Sequence, residues 1–197
     1  GAPNIAHLAA VDGDEALLLQ QAGALQRGSE HPLAKAVLDA CRERGLDVAD
    51  VSASQSLTGR GIAGTLDGRP LALGNRRLLE ETGLDAGDLG PRAKEWEAEG
   101  RTLSWLIEQG AQPRVLGLFA FGDTLKPGAL QAVQQLKAQH ISSHLITGDN
   151  HGSARVVAEA LGIDDVHAEV LPAYKAAAVA ELKKTGVVAM VGDGIND

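Results

Sequence analysis

Apolar and polar positions follow strand and helix patterns in the first part of the chain. The stretch Pro3 to Val11 has strand character, and residues 51–74 indicate short antiparallel strands around a hairpin at Asp67-Gly68. The stretches RTLSWLIEQG and PRVLGLFAF indicate two further strands. Helical spacing predicts helices after Asp12–Asp14, from Pro32, and over residues 88–99. These elements predict a mixed, mostly antiparallel domain.

The pattern changes from about Phe121 onward. A helix opening at Pro127, a strand ISSHLIT, a helix over 152–161, a short strand over 166–170 and a helix over 173–184 follow, and the apolar run 187–191 indicates a buried strand. Helices alternating with short apolar strands predict a parallel, doubly wound sheet. We therefore expect an α/β protein of two domains, an antiparallel-sheet α+β domain over 1–118 and a Rossmann-like domain over 119–197.

Composition limits the classes of function. The 197 residues are 44% hydrophobic and carry a net charge of −8, without a basic block, which argues against nucleic acid as a partner. No apolar run approaches the roughly 20 residues of a membrane helix, and the N-terminus lacks the features of a signal peptide. The single cysteine, Cys41, lies on the apolar face of a predicted helix, which favours packing over chemistry.

Polar residues at the ends of the predicted parallel strands carry the candidate chemistry. Thr147-Gly148-Asp149-Asn150 follows ISSHLI, Gly192-Asp193-Gly194 follows VVAMV, and Lys175 begins the helix before that last strand. Ligands of open parallel sheets bind beyond the carboxyl ends of the strands. A hydroxyl, an ammonium and a Mg²⁺-binding carboxylate there suit phosphoryl transfer. A GDG sequence alone is equally typical of a tight turn, and no aspartate has the context of the expected nucleophile.

The ordered motifs resemble the large cytoplasmic loop of a heavy-metal-transporting P-type ATPase. TGDN (147–150), GDGIND (192–197) and DTLKP (123–127) match its phosphorylation domain, which has the haloacid-dehalogenase-like fold. SEHPLAKAV (29–37), GRGIAG (59–64) and LGN (73–75) match its nucleotide-binding domain, and SEHP favours the copper-transporting type. The family's phosphorylated aspartate lies in a DKTGT motif that this sequence lacks. We therefore expect an excised fragment with a partial phosphorylation domain.

The resemblance implies a nucleotide site in the first domain. Glu30 and His31 would recognise adenine, Gly59, Gly61 and Ile62 would form the wall beside it, and Gly74 and Asn75 would line the same pocket. Each residue also has an ordinary structural interpretation: Glu30, His31 and Asn75 as helix caps or surface groups, and the glycines as turn residues.

The resemblance also implies roles in the second domain. Thr147 and Gly148 would hold the transferred phosphoryl group, Asp149 would lie near the nucleotide, and Lys175 would neutralise the aspartyl phosphate. Asp193 and Asp197 would hold Mg²⁺, with Asn196 supporting phosphate and metal, while Asp123 and Lys126-Pro127 would belong to a hinge. Tyr174 departs from the acidic residue that the family usually has before the lysine.

These roles imply ATP and Mg²⁺ as cofactors and a cation pump as the parent protein. The transported cation would bind elsewhere, in membrane helices outside this sequence, and the chain would lie on the cytoplasmic side of the membrane. The chain itself is expected to bind nucleotide without turning it over. Two alternatives stay open: a dehalogenase-like phosphatase with residues 1–115 as its cap, and a non-catalytic nucleotide sensor.

The remaining conspicuous side chains predict packing or surface positions. The histidines outside the candidate site show no common metal-ligand spacing; they are His7, His140, His144, His151 and His167. Trp96 and Trp105 are expected in the core.

Overall fold

The structure is a computed structural model that describes residues 3–123, 125–126, 128–148 and 150–192. The chain divides into two compact units, Gly1–Thr124 and Leu125–Asp197. The predicted boundary between residues 118 and 119 falls inside a strand that continues to Asp123, so residues up to that point belong to the first unit.

The first unit is built on a six-stranded antiparallel sheet. Its strands are β1 (Pro3–Ala10), β2 (Ser52–Leu57), β3 (Gly61–Leu66), β4 (Arg69–Gly74), β5 (Thr102–Glu108) and β6 (Arg114–Asp123). They lie in the order β1-β6-β5-β4-β3-β2. The predicted hairpin joins β3 to β4, with Leu66 opposite Arg69, and positive φ angles of 50° at Asp67 and 76° at Gly68 match a type I′ turn.

Helices cover both faces of this sheet. Because side chains alternate along a strand, Leu71 and Leu73 of β4 face one side and Ala72 the other. On the first side, α1 (Glu15–Gln26) and α2 (Pro32–Glu43) pack against Phe119 and Phe121. On the second side, α3 (Arg76–Thr82) and α4 (Leu89–Ala98) pack against Trp105 and its neighbours. We call these two clusters the α1/α2 core and the α3/α4 core.

Several packing predictions are confirmed. Cys41 is 1% exposed in the α1/α2 core, and burial raises the pKa of its thiol, which favours an inert packing role. Trp96 and Trp105 are both buried in the α3/α4 core.

The part of the second unit that the structure describes contains two short parallel strands and three helices. Its elements are α5 (Ala129–Ala138), β7 (His144–Ile146), α6 (His151–Leu161), β8 (Asp165–His167) and α7 (Pro172–Leu182). In the parallel register, His144 lies opposite Asp165 and Ile146 opposite His167. The predicted alternation of helix and parallel strand is therefore present.

The apolar run at residues 187–191 is not the buried strand that the sequence predicts. Val187 is 106% exposed and Val191 94% exposed, and the run carries no strand structure. A buried strand needs a neighbouring strand, because its backbone N–H and C=O groups have no water to bond to. The sheet of this unit, within the part of the chain that the structure describes, consists of β7 and β8, so the run has no strand to pair with.

The helices were also compared with the length and hydropathy of membrane-spanning segments. Within residues 3–192, leaving out the three undescribed internal positions, no helix is long and apolar enough to cross a membrane.

Candidate functional site

Asn75 ties the turn that carries Gly59 to the start of α3. Its side-chain Nδ2 donates to the carbonyl oxygen of Gly59 at 2.9 Å, and its backbone N–H donates to that of Arg60 at 2.8 Å. Its Oδ1 accepts from the N–H of Leu78 at 3.2 Å, which is the N-cap predicted for this residue. One asparagine therefore fixes the turn and the helix relative to each other.

Next to this turn, the backbones of β3 and β4 leave no room for a side chain at one pair of residues. Gly61 lies opposite Gly74 in the β3–β4 ladder. A β-carbon at Gly61, whose φ is 151°, would overlap the carbonyl oxygen of Leu73, and one at Gly74 would overlap that of Arg60. Both glycines are thus required by backbone packing, whatever their role toward a ligand.

Gly59 differs from these two glycines. Its φ is 69°, and a β-carbon there would meet nothing within 4 Å. The space beside the turn is therefore open, and Asn75 next to it is an exposed residue. The predicted residues Gly59, Gly61, Gly74 and Asn75 are therefore brought together at one corner of the sheet, which we call the glycine-rich corner.

His31 is the N-cap of α2. Its Nδ1 accepts from the N–H of Leu33 at 3.1 Å, and its own N–H donates to the hydroxyl of Ser29. Since Nδ1 accepts a hydrogen bond, the proton of the neutral ring is on Nε2, which can donate. His31 and the preceding Glu30 are both exposed at the start of the helix.

Ile62, next to Gly61, packs against the same core as the start of α2. Ile62 and Leu33, two residues after His31, both pack partly buried against the α1/α2 core. The side chain of Ile62, at the start of β3, therefore points to the face of the sheet that α2 covers.

The candidate residues of the second unit follow the ends of its two parallel strands. The N–H of Thr147, which follows β7, donates to the carbonyl oxygen of His167 at 2.9 Å, and the carbonyl oxygen of Thr147 accepts from Val170 at 3.0 Å. These bonds extend the β7–β8 pairing beyond both strands. The helix α7 begins shortly after Val170, and Lys175 lies half-buried in its first turn. Thr147, Gly148 and Lys175 therefore belong to the same carboxyl edge.

Part of the predicted site lies outside the described residues. This applies to Asp149, Asp193, Asn196 and Asp197, and also to Pro127 of the predicted hinge. Within the described ranges, no cluster of three or more His, Cys, Asp or Glu side chains could hold a metal ion. That search did not include the predicted Mg²⁺ ligands Asp193 and Asp197.

A cavity of about 270 Å³ lies away from these residues. Lys137, His140, Ser143 and Asp164 are among the residues that line it, at the amino-terminal ends of β7 and β8. It is therefore at the opposite edge of the small sheet from Thr147.

Arg60 is the residue at the corner that the sequence prediction did not single out. Its guanidinium pairs with Glu81 at 2.9 Å, and Glu81 also accepts from Nε of Arg77 at 3.2 Å. The hydrogen bond from Arg60, helped by Arg77, lowers the pKa of the Glu81 carboxyl. A sequence signal existed, since Arg60 stands between the two glycines of GRG.

Comparison with known proteins identifies the family. The model of the haloacid dehalogenase-like hydrolases matches residues 5–197. A copper-transporting P-type ATPase of Rhizobium leguminosarum bv. viciae is 39% identical over 199 residues, covering 100% of this chain and 23% of that protein. A copper-exporting P-type ATPase of Legionella pneumophila subsp. pneumophila is 36% identical, covering 100% of this chain and 26% of that protein.

A solved structure of a P-type ATPase is also similar to this chain. A zinc-transporting PIB-type ATPase in its E2.Pi state matches with a TM-score of 0.90 and 30% identity, covering 100% of this chain and 31% of that one. The chain spans about a quarter of the length of the curated relatives it matches.

The chain therefore belongs to the haloacid dehalogenase-like hydrolase family. Its relatives within that family are heavy-metal-transporting P-type ATPases, so the resemblance predicted from the motifs is confirmed. The predicted fold class, an antiparallel α+β part combined with a dehalogenase-like part, is confirmed as well.

Proposed function

We propose that this chain is the ATP-binding and phosphorylation region of a heavy-metal cation pump. In the intact protein, hydrolysis of ATP through an aspartyl phosphate would drive export of the metal, with copper the favoured cargo. The observation that carries the proposal is the glycine-rich corner, where Gly59, Gly61, Gly74 and Asn75 meet in a chain related to copper-transporting ATPases. The region would lie on the cytoplasmic side of the membrane, and the cation would bind in the membrane part.

The first unit would bind the nucleotide. The imidazole of His31 offers Nε2 as a donor, and the exposed carboxylate of Glu30 can accept from an exocyclic amine. The turn at Gly59, with open space beside it, and Ile62 would form the wall of the pocket. Asn75 would hold that wall in place through its two bonds to the turn.

The second unit would hold the phosphoryl group. Backbone hydrogen bonds to His167 and Val170 fix the backbone of Thr147 at the carboxyl edge of the sheet. Its side-chain hydroxyl therefore extends from a well-defined position. The ammonium of Lys175, at the same edge, would neutralise negative charge on the phosphoryl oxygens. Gly148 and Asp149 would assist, while Asp193 and Asp197 would hold Mg²⁺, which supplies further charge neutralisation when bound.

Replacement of His31 tests the nucleotide site. The expected result is that His31→Gln weakens ATP binding about 10-fold or more in isothermal titration calorimetry, because the imidazole contact is lost. Glutamine is a poor N-cap, so this variant also weakens the start of α2.

The matched control is His31→Asn, because asparagine caps helices well but lacks the imidazole. If His31 recognises adenine, both variants lose ATP affinity, whereas the thermal stability of His31→Asn stays near that of the wild type. If His31 is only a cap, His31→Asn binds ATP normally. Absence of ATP binding by the wild type would refute the proposed function.

Turnover provides a second test. The sequence contains no DKTGT motif, so the purified chain is expected to form no acid-stable phosphoenzyme from labelled ATP. Steady hydrolysis that is lost on Lys175→Gln would instead show that another residue of this chain acts as the nucleophile.

A further inference from the structure

Arg60 occupies a fixed position at the glycine-rich corner. It lies between Gly59 and Gly61, and Asn75 holds the carbonyl groups of both Gly59 and Arg60 by hydrogen bonds of 2.9 and 2.8 Å. Its side chain therefore leaves the backbone at a defined point beside the proposed nucleotide pocket.

The ion pair that Arg60 makes is a weak one. Its guanidinium contacts Glu81 of α3 at 2.9 Å, and the two side chains are 39% and 40% exposed. Exposed ion pairs contribute little to stability, because water and salt screen them. The contact orients the guanidinium without holding it firmly.

Glu81 has a second partner. Nε of Arg77 donates to its Oε1 at 3.2 Å, one helical turn away. If Arg60 moved away, the carboxylate would keep a charged neighbour, so the exchange costs little. A phosphate group, by contrast, offers a guanidinium two parallel charge-assisted hydrogen bonds.

We propose that Arg60 is a specificity-determining residue that leaves Glu81 to bind the phosphate chain of the nucleotide. The proposal rests on the proposed function and extends it, because it assigns discrimination between a nucleoside triphosphate and a bare nucleoside to one side chain. Glu81 acts as the competitor that holds the guanidinium when no phosphate is present.

Paired titrations of the whole chain with ATP and with adenosine test this assignment. Arg60→Gln is expected to lower the affinity for ATP roughly 3- to 10-fold and to leave that for adenosine unchanged. The salt dependence of ATP binding should become shallower, since one cation no longer contributes. Glu81→Gln is expected to raise the affinity for ATP about 2- to 5-fold by removing the competitor.

Arg42→Gln is the matched control. It removes an exposed arginine that pairs with Asp39 within α2 and does not contact Glu81, so ATP affinity should change less than about twofold. Should Arg60→Gln fold poorly by circular dichroism, Arg60→Lys replaces it: the charge remains but the planar fork is lost, and an intermediate ATP affinity is expected.

The outcomes separate this inference from the proposed function. An equal loss of ATP and adenosine affinity in Arg60→Gln would mean that Arg60 only shapes the turn, and no loss of either would mean that it plays no part. Both results overturn the inference while leaving nucleotide binding intact. A wild-type chain that binds neither ligand overturns both.

Discussion

At the scale of single residues, the glycines of the corner differ in what they require. Gly61 and Gly74 face each other across two strands whose backbones leave no room for a β-carbon, whereas Gly59 only needs a positive φ. The motif GRG therefore combines a packing requirement with a conformational one.

Alanine substitutions separate these two requirements. Gly61→Ala is expected to lower the free energy of unfolding by about 3 kcal/mol or more, because the new methyl group would force β3 and β4 apart. Gly59→Ala is expected to cost about 1 kcal/mol, the penalty of a left-handed backbone for an L-residue with space around it. Urea denaturation followed by tryptophan fluorescence measures both, and equal costs would contradict the close approach.

At the scale of elements, a two-arginine clamp joins three strands at one end of the sheet. Glu108 of β5 accepts from Nε and Nη2 of Arg69 on β4, at 3.0 and 2.7 Å, and from Nε of Arg114 on β6 at 3.0 Å. The two hydrogen bonds from Arg69, followed by the one from Arg114, lower the pKa of Glu108 from its ordinary 4.5 to about 2. The carboxylate is thus stabilised in its charged form.

This clamp should make stability depend on pH. Because the folded pKa is below the unfolded one, the stabilisation is present above about pH 4.5 and is lost as the pH falls toward 2. Glu108→Gln is expected to lower the free energy of unfolding at pH 7 by on the order of 1 kcal/mol, a value discounted for the exposed arginines. The difference from wild type should shrink between pH 4.5 and pH 2.

Glu43→Gln is a suitable control for the clamp. Glu43 is exposed at the end of α2, so its substitution should leave the free energy of unfolding nearly unchanged at pH 7 and at pH 3. A difference between Glu108→Gln and wild type that stays constant from pH 7 to pH 3 would contradict the clamp.

At the scale of the whole molecule, the two units differ in how much apolar surface they bury. The first unit has a core on each face of its sheet. In the second unit, as far as its residues are described, the buried apolar side chains are Ala154, Ala158 and Leu161, and α5 exposes Leu130 and Leu136. Burial of apolar area is the main driving force of folding, so the second unit should be the less stable one.

Two spectroscopic probes can resolve the units. Trp96 and Trp105 both belong to the first unit, so tryptophan fluorescence reports on it alone, whereas far-ultraviolet circular dichroism reports on both. In urea, the circular dichroism signal is expected to begin its loss at lower denaturant than the fluorescence signal. The backbone amide hydrogens of α6 should also exchange with solvent faster than those of β5. Coincident circular dichroism and fluorescence transitions would contradict this order of unfolding.

The sequence determined what depends on neighbours along the chain. Turn chemistry at Asp67-Gly68, the cap at Asn75 and the period of apolar residues act over a few positions, so hairpin, helix starts and the change of architecture could be predicted. The motifs likewise indicated the family and the glycine-rich corner.

Only the tertiary structure decided what depends on residues distant in sequence. The register that sets Gly61 against Gly74, the pairing of Arg60 with Glu81 and the exposure of residues 187–191 all depend on which strand or helix lies alongside. A strand forms only where a second strand completes its hydrogen bonds, and an ion pair forms only where the fold brings two charges together. Local pattern carries neither piece of information, because both are properties of the packed chain.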